Sequence, residues 1–273
     1  MKTIPIILLL LTGWLLSACE DVVEADLSTA PPRLVIDASI DWIKNYGGEV
    51  QLIKLTTTTG FYDTYIPVVS NATVYITNST GIQFDFIEDP GTGKYYSSDF
   101  EPVLLETYTL TVIHNGETYT ATESLIPTPD IQEIIQTDEG ITDDFISLKT
   151  YFQDPPELNN RYMDVYTIQQ SGYIYRGLLE DTFFNGNYAF STRMLEDTNP
   201  GDKVMVQLYG ISESYYNYMR KILSVSSPIN AGPFSTPPPS AIHGNIINTT
   251  NIDNYALGYF RLGEVSIAFH TVQ

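Results

Sequence analysis

The chain has 273 residues, with 33 Asp and Glu against 13 Lys and Arg, a formal net charge of −20. That balance argues against a nucleic-acid binder, which needs a basic face to release counterions from a polyanion, and against attachment to an anionic membrane by charge alone. One cysteine rules out a disulfide within the chain, three histidines leave little for a metal site, and 43% apolar residues mark a chain that buries a core.

Met1-Lys2-Thr3 is a short positive start, and Ile4 to Leu16 is almost wholly apolar. A helix needs about 20 apolar residues to cross a bilayer, so this shorter run reads as the core of a signal peptide. Leu16-Ser17-Ala18-Cys19 follows, with small residues before the only cysteine of the chain. This is the bacterial lipobox arrangement. The Cys19 thiol takes a diacylglycerol, and cleavage before Cys19 frees its amine for a further acyl chain. Two or more chains hold a protein stably at a membrane where one does not. Residues 1–18 are therefore expected to be a lipoprotein signal peptide, and 19–32 a lipidated tether. Glu20 and Asp21, directly after the cysteine, are candidates for a surface-export signal.

Beyond Pro31-Pro32 the pattern is β almost throughout. Apolar and polar residues alternate, with β-branched and aromatic types, at 34–40, 50–55, 72–77, 82–86, 93–96, 107–113 and 118–125. Asn115-Gly116 between the last two supplies the positive φ angles of a tight hairpin turn. Seven short strands in 33–127 predict a β-sandwich of roughly 100 residues, and Pro127-Thr128-Pro129 marks its end.

Residues 128–273 are expected to form a second β-rich domain. Strands fall at 145–152, 162–169, 188–194, 203–209, 257–261 and 264–271. Asp154-Pro155-Pro156 and Asn199-Pro200-Gly201-Asp202 make turns between some of them. One segment breaks the β pattern. Tyr215, Tyr218, Met219, Ile222 and Leu223 fall at i, i+3, i+4, i+7 and i+8, one face of an amphipathic helix near 213–225, with Ser212 or Ser214 as its cap. Prolines make 231–243 an extended loop.

Motifs for catalysis are missing. Neither a phosphate-binding loop nor a dinucleotide fingerprint occurs. Gly91-Thr92-Gly93 reads as a turn, and Gly210-Ile211-Ser212-Glu213-Ser214 lacks the last glycine of a nucleophile elbow and reads as the helix start. Among carboxylates, Glu180, Asp181 and Asp202 are the candidates for hydrolysis, each better explained as a turn or solvated loop acid. Asp138, Glu139, Asp143 and Asp144 flank Gly140 without the calcium-loop pattern. The 20 tyrosines are mostly packing; one member of Tyr95-Tyr96, Tyr173/Tyr175 and Tyr215-Tyr216 is expected at the surface. Trp42 is the only tryptophan after the signal, and His114 reads as a turn residue.

The order of these pieces resembles a family, the Bacteroidota outer-membrane lipoproteins catalogued as domain of unknown function 4249. The pieces are Cys19 with its acidic followers, Leu34-Val35-Ile36-Asp37-Ala38, Gly93-Lys94-Tyr95-Tyr96, Phe152-Gln153-Asp154-Pro155, Leu179-Glu180-Asp181-Thr182, Gly201-Asp202-Lys203-Val204, Gly244-Asn245-Ile246 and Ala256-Leu257-Gly258-Tyr259-Phe260. The resemblance implies an outer-membrane lipoprotein with an immunoglobulin-like or transthyretin-like first domain, and a neighbour of TonB-dependent transporters. It implies no known activity and no catalytic residue.

The reading expected from all this is a lipid-anchored accessory or ligand-binding module in nutrient uptake, facing the cell exterior, with the periplasmic face left open. It is expected to have no cofactor, no metal, no nucleic-acid partner and no enzymatic role. The alternatives are a structural or adhesion protein of the cell envelope, and a surface hydrolase using carboxylates of the second domain.

Overall fold

The fold builds outward from strands whose alternate residues are apolar. The computed structural model describes residues 31–46, 48–60, 62–137, 145–156, 159–226 and 242–273. The expectations on Cys19, Glu20, Asp21 and the acidic loop Asp138–Asp144 lie outside them, as does most of the proline-rich segment before His243.

The protein is mainly β. Seven strands run in order through the first half: β1 (Leu34–Ile43), β2 (Gln51–Thr57), β3 (Thr73–Asn78), β4 (Gln83–Asp89), β5 (Lys94–Ser97), β6 (Thr107–His114) and β7 (Glu117–Ile126). They match the seven alternating segments of the sequence. The β6–β7 turn places Asn115 and Gly116 at φ 51° and 79°, the conformation the hairpin demands. The ladder runs β1-β2-β5-β4-β3-β6-β7. β4 serves two layers, pairing β3 through Gln83–Phe86 and β5 through Ile87–Asp89.

The last strand, β15 (Leu257–Thr271), closes this sandwich. It lies parallel to β1 from Leu257 to Val265, and touches β7 at Leu262 and Gly263. The eight strands thus form a closed circuit around one core. Ile36, Ile40, Ile53, Leu55, Ile76, Leu110 and Phe260 are fully buried in it, and Phe100 packs against Phe84 and Tyr108 at ring distances of 4.8 and 5.5 Å. Each such side chain contributes roughly 1.5–3 kcal/mol of burial.

The second half contains β8 (Ile131–Thr137), β9 (Phe145–Gln153), β10 (Arg161–Ile168), β11 (Ile174–Glu180), β12 (Tyr188–Glu196), β13 (Lys203–Gly210), the helix α1 (Glu213–Ser226) and a two-residue strand β14 (Ile247–Asn248) on β7. Strands β8, β11 and β14 had no clear signal in the sequence. The order β11-β10-β13-β15 makes one layer, and β12-β9-β8 a second. The inward residues of β10 face the second layer. Tyr166 and Ile168 pack with Leu148 and Leu195, and Tyr162 packs with Phe152. The opposite face of the four-stranded layer, with Met163, Val165, Tyr209 and Val265, is covered by Tyr215, Tyr218 and Met219 of α1.

The sequence splits residues 257–271 into two strands at Leu262-Gly263. The structure corrects this to one strand of 15 residues. Its first stretch pairs β1, and from Val265 its other edge pairs β13. Gly263 permits the passage: a Cβ there would lie 2.5 Å from the Gly210 carbonyl oxygen. The ladder therefore runs without a break from the first half into the second, and Pro32–Thr59 with Asp63–Gln273 form a single compact unit. Among the described residues, no helix is long and apolar enough to cross a membrane.

Candidate functional site

The carboxylates that the sequence singled out are tied into the fold. Asp181 opens a short 3-10 turn, Asp181–Phe183, and is 2% exposed, so it is a buried acid and not a solvated one. Its Oδ2 accepts the Asn160 N–H at 2.6 Å. Beside it lies Asp154, 1% exposed, which accepts the Tyr162 hydroxyl at 2.6 Å and the Gly186 N–H at 2.9 Å. Burial, with Asp154 and then Asp181 nearby, raises the Tyr162 pKa, which keeps that phenol a donor. The two acids thus hold the loops around 154–160 and 181–187. Glu180 pairs with Arg161 at 3.0 Å, and Asp202 accepts the Asn199 N–H at 2.8 Å in its turn.

Other singled-out residues also take structural places. Tyr95 is 1% exposed and Tyr96 38%, as a pleated strand requires. Tyr215 is buried and Tyr173 is exposed. Gly91 and Gly93 both have positive φ in a turn. Ser212 caps α1, its Oγ accepting the Tyr215 N–H at 3.2 Å. His114 lines a surface cleft beside Glu117. Glu117 accepts the Tyr119 hydroxyl at 2.7 Å and the Asn248 side-chain amide at 3.2 Å, which fastens the 248–254 loop; these and neighbouring bonds lower its pKa. Among the described residues, no three His, Cys, Asp or Glu side chains converge as a metal ion would need.

A different place has one exposed charged group, Arg176, without an ion pair or hydrogen bond among the described residues. Between α1 and the outer face of β11-β10-β13-β15-β1 lies a recess of about 260 Å³. Strand register builds its floor. Val165 stands between Arg176 on β11 and Gln207 on β13, and Arg261 on β15 is opposite Ser39 on β1. Tyr215 and Met219 of α1 form the roof, and Met163 and Ile174 share the lining with the polar Ser39, Thr167 and Gln207.

Arg261 is the unusual group, a guanidinium only 7% exposed. Its Nη1 lies 2.7 Å from Asp41 Oδ1 as an ion contact without hydrogen-bond alignment, and its Nε has no hydrogen-bond partner. The rings of Tyr209 and Tyr215 lie 5.2 and 5.4 Å from the guanidinium carbon, within cation–π range. Burial opposes the charge, but Asp41 and the two tyrosines outweigh it and its pKa is raised. Burial also raises the Tyr209 pKa, with Asp41 adding to the effect while Arg261 and Arg176 oppose it. Both guanidinium groups therefore act on one phenol. Arg176 is exposed and makes no ion pair or hydrogen bond among the described residues.

Neither arginine was singled out from the sequence. A signal existed: Arg261 and Glu264 are the only charges within the apolar run Leu257–Phe269. A lone charge in a buried strand has either a partner or a task. Glu264 has partners, accepting the Thr128 N–H at 2.9 Å and lying 3.7 Å from Lys44 Nζ. For Arg176 no sequence signal exists, because its position depends on β11.

The profile of the family described as Domain of unknown function (DUF4249) matches residues 20–266. No curated protein matches the sequence. Among solved structures, a two-domain fibronectin type-III segment from chicken tenascin is similar at 14% identity over 68% of this chain and 89% of that one, with a TM-score of 0.22. The chicken CNTN1 FN1–FN3 domains are similar at 12% identity over 67% and 63%, with a TM-score of 0.27. Likeness at that level bears on neither the site nor the function.

Proposed function

The chain belongs to the DUF4249 family, and from that premise we propose that it is a lipid-anchored binding or accessory module of the outer membrane, working with a TonB-dependent transporter in nutrient uptake. In this reading it acts by binding and not by turnover. The observation that carries it is the division of labour among the charged groups. Asp154 and Asp181 are consumed by structural hydrogen bonds, while the exposed Arg176, on the recess under α1, has no ion pair or hydrogen bond among the described residues. The Leu16-Ser17-Ala18-Cys19 element supports the anchor, and the acidic residues Glu20 and Asp21 support display on the outer face. The transporter partnership is supported by the family resemblance. Energy for transport would come from the partner, so this chain needs no active site of its own.

The test is purification of the lipidated protein from gently solubilised native outer membranes. A stoichiometric transporter barrel is expected to co-purify, and to be lost with Cys19→Ala. A protein that stays on the outer membrane without a barrel overturns the partnership. Unchanged membrane retention of Cys19→Ala overturns the anchor. A hydrolytic activity lost with Asp181→Asn, folding intact, would instead favour the hydrolase.

A further inference from the structure

We propose that the free edge of β12 is a self-association surface, on which a second copy of this chain adds its own β12 antiparallel. The inference goes beyond the binding-module reading and needs neither the anchor nor the transporter. It starts from the phase of the hydrogen bonds. The Asp154 N–H donates to the Asn187 carbonyl at 3.1 Å, one step beyond the paired residues of β9 and β12. Antiparallel pairs alternate between bonded and non-bonded positions, so Ala189, Ser191, Arg193 and Leu195 are the residues that bond to β9. Tyr188, Phe190, Thr192 and Met194 turn their N–H and C=O groups the other way, where no backbone or side-chain group among the described residues meets them. At Glu196 the same edge is capped. The Glu196 N–H donates to the Tyr175 hydroxyl at 3.1 Å, and that hydroxyl donates to the Glu196 carbonyl at 3.5 Å.

Proteins guard sheet edges with lysine, proline, bulges or brevity. β8, the other edge of this layer, is bulged between Ile131 and Glu133, and β14 has two residues. β12 has nine residues in unbroken register with β9 and contains no lysine, proline or glycine. Its one cation, Arg193, is turned inward to Asp164. Register and charge identify the occupant. The cap at Glu196 leaves four open residues in steps of two, and a single two-fold register satisfies them all. Tyr188 of one copy then stands opposite Met194 of the other, and Phe190 opposite Thr192. These side chains are exposed in the single chain. Ring against thioether and ring against β-branched side chain are both favourable cross-strand pairs. Arg193 falls opposite Ala189, so no charge meets its like. That matters for a chain of net charge −20, which repels its own copy wherever acidic faces meet.

The experiment is sedimentation equilibrium of the full chain in detergent over a range of protein concentrations. A reversible monomer–dimer equilibrium is expected. Thr192→Pro removes a donor that faces away from β9, so the β9 ladder keeps its bonds and the variant should fold, while the association constant falls by about tenfold or more. A crosslink then tests the register. Phe190→Cys and Thr192→Cys are each made in a Cys19→Ser chain, so that the introduced thiol is the only one. They are oxidised separately and as a mixture. Residues opposed in a bonded antiparallel pair have Cα atoms about 5.5 Å apart, within disulfide reach. The mixture should give a disulfide dimer with one copy of each variant, in preference to either variant alone. Three results overturn the proposal: the chain stays monomeric, folded Thr192→Pro associates as well as the parent, or the mixture crosslinks no better than the separate variants. An edge that accepts only a strand of a different protein gives the first of these. The crosslink is read with Cys19 replaced, so failure here and failure of the co-purification are separately visible.

Discussion

Replacing Arg193 with methionine should show how the second sandwich carries charge in its interior. Arg193 on β12 reaches between the layers to Asp164 on β10, donating from Nη2 at 2.7 and 3.0 Å to the two carboxylate oxygens. Asp164 is 1% exposed and sits between the inward-facing Tyr162 and Tyr166. Gly177 makes the space, since a Cβ there would lie 1.6 Å from Arg193 Nη2 and 2.4 Å from Asp164 Oδ1. Deleting one partner of a buried pair costs about 3–5 kcal/mol, because the other charge is left without compensation. The Arg193 side chain is 27% exposed, which places the expected cost of Arg193→Met at the low end, about 3 kcal/mol. The double variant Asp164→Leu with Arg193→Met removes both charges and should return to within about 1 kcal/mol of the parent.

The cost should also depend on pH. Burial raises the Asp164 pKa, and Arg193 works against that shift. Without Arg193 the folded-state pKa rises further above that of the unfolded chain. Folded protein then binds a proton that unfolded protein has released, so the stability of Arg193→Met falls as pH rises from about 4 through the new folded value. Urea unfolding followed by circular dichroism at pH 5 and pH 8 measures both effects as shifts in midpoint at constant slope. A single variant within 1 kcal/mol of the parent at pH 8 refutes the argument. So does a double variant no more stable than the single one, or a loss that grows toward acid.

Gly258→Ala should destabilise by about 2 kcal/mol or more, because Gly258 has φ +97° and a Cβ would lie 2.0 Å from the Ile36 carbonyl oxygen across the β1–β15 pair. A thermal unfolding midpoint within error of the parent would contradict this. Ser212→Ala removes the cap of α1 and should cost about 1 kcal/mol, seen as faster amide exchange in the first turn of the helix. Asp154→Ala strands the Tyr162 hydroxyl and the Gly186 N–H, and should cost about 3 kcal/mol in urea, with Asp154→Asn costing less because an acceptor oxygen remains.

Sequence alone determined the parts whose signal is local. Period-two alternation located β1 to β7, Asn115-Gly116 located the hairpin, and the i, i+3, i+4, i+7 spacing located α1, because each pattern records which face of one element is buried. The proposed lipobox at Cys19 rests on a local pattern too, one that lies outside the described residues. Tertiary structure decided what depends on a neighbour. The sequence divides residues 257–271 at Gly263, yet the chain runs straight through, since that glycine lets the Gly210 carbonyl approach where β15 passes from β7 to β13. Asp181 reads as a loop acid until Asn160 is seen donating to it in the interior. Arg261 and Arg176 are 85 residues apart in the chain. Only the lateral order β11-β10-β13-β15, set by hydrogen-bond register and not by composition, puts both on one recess under α1.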